Sequence, residues 1–211
     1  DAGDITFINA VDANAAGVES IIVNALGGKV DFKAAVGATA LGGITINAMA
    51  SGFGSTVDTS AGDILVQGTG NTHTIAGNVT TGGGDWIIHD DVVVAGDITV
   101  DTDGGQIRVT GAINDDAAAA DNSLTLESND GQLTLEGSVG NLNDLGTFTL
   151  VNSTVGGAEL NGEIRTTTTV TTRTTNGYTY NASYTAAVTG GWQWQGWQLV
   201  YVSPKPSQCV I

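Results

Sequence analysis

A chain of 211 residues with 31 Gly, 2 Pro and 41% apolar residues has room for a core and is too apolar for the composition of a disordered segment. Its formal charge of −16, with six Lys and Arg in all, excludes a basic nucleic-acid surface, and no apolar run nears the roughly 18 residues of a membrane-spanning helix. A single cysteine, Cys209, cannot build a disulfide framework, and the sequence assigns it no role. Charged residues make up 13%, about half the usual share for a globular domain, while Thr, Val, Ile, Asn and Gly favour strands separated by tight turns. The start at Asp1 rather than Met points to a processed or excised product. Low Lys and scarce Cys point to an extracellular or cell-surface location.

Short alternating triplets run along the chain: Ile5-Thr6-Phe7, Ile21-Ile22-Val23, Val30-Asp31-Phe32, Ile44-Thr45-Ile46 and Ile64-Leu65-Val66. They continue as Trp86-Ile87-Ile88, Ile98-Thr99-Val100, Ile107-Arg108-Val109, Leu124-Thr125-Leu126, Leu133-Thr134-Leu135 and Phe148-Thr149-Leu150. In most, two apolar residues flank a polar one, so the outer pair faces a core and the middle residue faces solvent. Gly, Asn and Asp bound nearly every triplet, as in Asp103-Gly104-Gly105 and Asn129-Asp130-Gly131.

The spacing decides the architecture. Triplet starts at 21, 44, 64, 86, 107 and 133 lie 20 to 26 residues apart, and a second track at 98, 124 and 148 has steps of 26 and 24. A period in the low twenties, holding two or three short strands, is one coil of a solenoid. The fold expected is all-β, a right-handed parallel β-helix of about seven coils over residues 1–163, some 34 Å long at about 4.8 Å per coil. Residues 48–62, rich in Ser, Gly and Thr, are expected as a loop or an irregular coil.

Three phrases near the start carry a family likeness: Gly3-Asp4-Ile5-Thr6-Phe7, Gly28-Lys29-Val30-Asp31-Phe32-Lys33-Ala34-Ala35-Val36-Gly37, and Leu41-Gly42-Gly43-Ile44-Thr45-Ile46. They resemble the repeats of filamentous-haemagglutinin-like and autotransporter-like bacterial surface proteins, over residues 1–160. The resemblance implies a right-handed β-helix, secretion, and a role in adhesion, biofilm formation or a surface layer. It carries over no functional residue.

The last quarter differs. All 22 acids lie at or before Glu163; with three bases they give residues 1–163 a charge of −19, while Arg165, Arg173 and Lys205 give residues 164–211 +3. All four Tyr and three of the four Trp fall after Glu163, and residues 166–175 hold eight Thr. Gly190-Gly191 is expected to turn a hairpin between Tyr178-Thr179-Tyr180 and Trp192-Gln193-Trp194. Residues 164–211 are therefore read as a terminal cap or an intermolecular arm that adds to a neighbour's open sheet edge. The arm reading assigns self-association to Thr168, Val170, Thr172, Tyr178, Tyr180, Tyr184, Trp192, Trp194, Trp197 and Tyr201, with a second copy of the chain as the partner in a head-to-tail polymer.

Other chemistries have less in their favour. Asp90, Asp91, Asp101, Asp103, Asp115, Asp116, Asn129 and Asp130 supply oxygens suited to Ca²⁺, the one cofactor worth considering, yet the Gly-Gly-x-Gly-x-Asp repeat appears only in fragments such as Gly82-Gly83-Gly84-Asp85. Turn-forming and solubilising roles are the favoured reading. His73 and His89 do not suggest a metal site or a base–nucleophile pair. A polysaccharide lyase or hydrolase on a β-helix is the enzymatic alternative, without a basic cluster for an acidic sugar, and no enzyme activity is expected. Trp192, Trp194 and Trp197 offer a platform for surface glycans. Thr-x-Thr phrases invite an ice-binding reading, which is set aside because they do not recur in register on successive coils.

Overall fold

The computed structural model describes residues 3–68, 72–117, 120–152, 158–173, 191–195 and 198–202. They form a parallel β-solenoid of about seven turns, and no helix occurs among the described residues. The stack has three faces: the middle coils place a short strand on each, as Ile64–Gln67, Thr72–Ile75 and Val79–Thr80 do, while Ser20–Phe32 and Gly43–Phe53 each run across two of them.

The first face is the isoleucine track. Its inward positions stack Ile21 on Ile44, Ile64, Trp86, Ile107 and Leu133, each in parallel register, and Leu133 stands opposite the exposed Ala158 of the last strand. The third face holds the second track, with Ile98, Leu124, Phe148 and Val170 in register. Between them lies a face that the triplet spacing did not separate. There Phe7, Phe32, Phe53, Ile75, Val94 and Asp115 follow one another, and single bridges carry the neighbouring column on through Ile113, Val139 and Ile164.

Alternation sets which side chains go inside. Ile98, Val100, Ile107, Val109, Leu124, Leu126, Leu133 and Leu135 are each at most 4% exposed. Full burial of one such side chain contributes about 1.5–3 kcal/mol. Aromatic rings extend the packing at the N-terminal end, where Phe7 stacks on Phe32 with centroids 4.5 Å apart and Phe32 meets Phe53 at 5.4 Å.

The expected irregularity at residues 48–62 is not there. Strands Gly43–Phe53 and Val57–Thr59 run through it as an ordinary coil, with Ser51, Phe53, Val57 and Thr59 all at most 1% exposed. Small polar residues serve as core here because the interior satisfies them. The Thr59 hydroxyl donates to the Gly62 carbonyl at 2.5 Å and the Ser51 hydroxyl pairs with His73.

Thr59 opens a column that holds the corner between the third face and the next coil. Thr81, Thr102 and Ser128 succeed it, each fully buried, and Asn152 ends it. Thr81 donates to the Gly84 carbonyl and Thr102 to the Gly105 carbonyl, the latter at 2.7 Å. Asn152 Nδ2 reaches both Ser128 Oγ at 2.6 Å and the Gly131 carbonyl at 2.8 Å. The glycine three residues after each hydroxyl is a packing requirement. A Cβ on Gly105 would sit 2.0 Å from the Gly84 carbonyl oxygen, and one on Gly131 would sit 1.9 Å from that of Gly105.

The ladder crosses the compositional divide at Glu163. Strand Thr166–Arg173 pairs in parallel with Leu145–Asn152 and so continues the third face. Beyond it, Gly191–Gln195 and Gln198–Val202 form a separate antiparallel hairpin, with Trp192 opposite Tyr201 and Trp194 opposite Leu199. The partner of Trp192-Gln193-Trp194 is thus the segment that follows; the Tyr178-Thr179-Tyr180 segment expected to pair with it lies outside the described residues.

Candidate functional sites

One pair of reactive side chains meets in the interior. Ser51 and His73 stand opposite each other on the second face, one coil apart. Ser51 Oγ lies 2.7 Å from His73 Nδ1, and the imidazole packs edge-on against Phe53 with centroids 5.0 Å apart. The contact has the make-up of a nucleophile and its base. Its setting is wrong for that chemistry, since Ser51 is 1% exposed and His73 not at all, which leaves a substrate no approach to the hydroxyl. Among the described residues no carboxylate pairs with the ring, and Nε2 is buried without a hydrogen-bond partner. Burial pushes the imidazole down to about 3, because charging it would place a cation in an apolar stack. The pair is therefore a neutral polar contact within the core. Sequence reasoning missed it, although the 22-residue separation matches the coil period.

Many turn carboxylates accept backbone N–H groups, and of the acids that suggested calcium Asp91, Asp101 and Asp115 are among them. Asp63 Oδ1 accepts the Asp85 N–H at 2.9 Å, and Asp85 Oδ1 accepts the Gln106 N–H at 2.7 Å. Asp91 takes the Ala112 N–H at 2.7 Å and Asp97 the Ser123 N–H at 2.9 Å, each donor one coil further on. Near the start, Asp4 takes the Lys29 N–H and Asp12 the Ala38 N–H. These carboxylates tie neighbouring coils at the turns. Asp115 is buried at the foot of the second face, where the Asp116 N–H, the Asn122 N–H and Asn122 Nδ2 all donate to it within 2.8 Å. Among the described residues, no three His, Cys, Asp or Glu side chains gather as a metal site.

Asp31 lies between two lysines. Burial raises its carboxyl, but Lys29 and Lys33, each 3.1 Å away, outweigh that and hold it below the usual range. Both lysines are about half exposed, so the cluster adds little stability.

The proposed association residues divide into three groups. Val170 and Thr172 lie in Thr166–Arg173 opposite Phe148 and Leu150, with Thr168 at the register shift. Trp192, Trp194 and Tyr201 belong to the hairpin. Tyr178, Tyr180, Tyr184 and Trp197 lie outside the described residues.

Among the described residues, the first coil presents a sheet edge. Strand Ile5–Phe7 pairs only with Ser20–Phe32, and residues 20–25 of the latter pair only with the strand Gly43–Phe53. The outer side of this first coil has no strand partner among the described residues. Around it Ile8, Val18, Ile22 and Leu26 are each more than two-thirds exposed.

No family, curated protein or solved structure matches this chain. The functional reading accordingly rests on the geometry of the stack and on its repeat phrases.

Proposed function

We propose that this protein is a structural subunit of an extracellular filament or surface adhesin that associates head to tail. In this reading it serves the cell surface as filamentous-haemagglutinin-like and autotransporter-like proteins do, through a rod rather than a catalytic cleft. The observation that carries the reading is the outer edge of the first coil. Unpaired strand backbone is a template for another chain, and the exposed Ile8, Val18, Ile22 and Leu26 add apolar area where a neighbour would seat.

The donor is the C-terminal segment of a second copy. It carries +3 against −19 for residues 1–163, so it is drawn toward the acidic body of its neighbour. Its Tyr and Trp residues supply the anchors that dominate binding patches. A heterologous contact of this kind does not close on itself and yields filaments. A lyase, a hydrolase or a glycan-binding adhesin on the same scaffold has only fold analogy behind it.

Negative-stain microscopy and sedimentation of the purified chain test the proposal. Filaments are expected, and an Ile22→Lys, Leu26→Lys double variant should stay monomeric with an unchanged circular dichroism spectrum. Monodisperse rods at every concentration, or a double variant that polymerises as well as the parent, would remove the reading.

A further inference from the structure

The third face carries a feature that filament formation does not use. Its outward positions hold threonine in register on three successive coils, Thr99 opposite Thr125 and Thr125 opposite Thr149, and the backbone register carries the column on from Thr149 to Thr171. Thr147 stands opposite Thr169 in the adjacent column, so the last two coils read Thr-x-Thr in register. This overturns the ground on which ice binding was set aside. We propose that this face is an ice-binding surface.

Four physical points support it. Parallel strands set the columns about 4.8 Å apart along the stack, and alternate residues stand about 6.6 Å apart along each strand. The first distance lies close to an oxygen repeat of hexagonal ice. The bed beneath is rigid, with Ile98, Val100, Leu124, Leu126, Phe148 and Leu150 all at most 4% exposed. Threonine is stiff at its first side-chain torsion, and each hydroxyl both donates and accepts. No hydrogen bond among the described residues engages the hydroxyl of Thr99, Thr125 or Thr149. These groups are free to complete a water lattice while their methyl groups fill its hollows.

The neighbouring outward positions favour water over sugar. Asp97, Asp101, Ser123, Glu127 and Val151 flank the threonines, and none offers the aromatic plane on which a sugar ring stacks. The threonine columns are uncharged. A column of hydroxyls with methyl groups suits ordered water, which presents oxygens at fixed spacing and no charge.

The test uses the whole 211-residue chain in an ice recrystallisation assay, with microscopy of single ice crystals held just below melting. The chain should slow grain growth and facet the crystals at micromolar concentration. Thr149→Lys and, separately, Thr125→Lys should each raise the concentration needed at least tenfold. Thr45→Lys, on the outward side of the first face, should leave it unchanged, and circular dichroism reports whether each variant is folded. The inference fails if the parent chain acts no better than an equal mass of inert protein. It fails equally if folded Thr125→Lys keeps full activity, if Thr45→Lys loses as much, or if the chain binds insoluble cellulose or chitin without affecting ice. None of these readings depends on whether the chain forms filaments.

Discussion

Acidification should weaken this fold through one histidine. In the unfolded chain His73 titrates near 6.5, and in the folded chain burial holds it down to about 3. Between those values the unfolded state binds the extra proton, so stability is full above 6.5 and falls as pH drops toward 3. The slope approaches about 1.4 kcal/mol per pH unit. From pH 8 to pH 5 the loss through His73 is about 2 kcal/mol, and the His73→Asn variant isolates it. The assay is urea unfolding followed by far-ultraviolet circular dichroism at half-unit steps from pH 8 to pH 5, on the parent and on His73→Asn. The amide can still pair with Ser51 and has no proton to gain, so the variant should start lower by about 1–3 kcal/mol and then stay flat. Equal pH dependence in parent and variant would refute the reasoning, as would a parent whose midpoint does not move.

Two further outcomes bear on packing. Leu126→Asp places an unpaired charge at a fully buried position of the third face and should cost more than about 4 kcal/mol, read as a loss of the folded circular dichroism signal; a benign result would invert the assignment of inner and outer positions. Gly105→Ala brings a methyl group within 2.0 Å of the Gly84 carbonyl oxygen and should cost about 3 kcal/mol in urea unfolding, although it adds no polar group and removes no hydrogen bond.

Two of the three faces were legible in the sequence because their inward positions are Ile, Val and Leu at alternating places. The middle face escaped because its columns mix Phe7, Phe32 and Phe53 with Ser51 and His73. Hydropathy cannot mark Ser51 as core; only its partner 22 residues on does that. The same blindness made residues 48–62 read as a loop.

The threonine register was hidden for a different reason. Thr99 to Thr125 is 26 residues, Thr125 to Thr149 is 24 and Thr149 to Thr171 is 22, so no fixed period reveals the column. Turns of differing length absorb the difference outside the strands, and only the backbone ladder restores the alignment. The charge divide at Glu163 was plain in the sequence, but strand pairing answers to backbone and runs across it to Arg173.

The corner column also makes the coils exchangeable. Each corner presents a buried hydroxyl, a glycine three residues later, and then a hydrogen-bonding side chain directed at the coil above: Thr59, Gly62 and Asp63 in one, Thr81, Gly84 and Asp85 in the next, Thr102, Gly105 and Gln106 after that. Excision of residues 64–85 would join Asp63 to Trp86 and leave Asp63 facing the Gln106 N–H, in the place Asp85 now holds. Rod length can therefore change in whole-coil steps, by splicing at equivalent corners, with the corner hydrogen bonds re-formed at the seam.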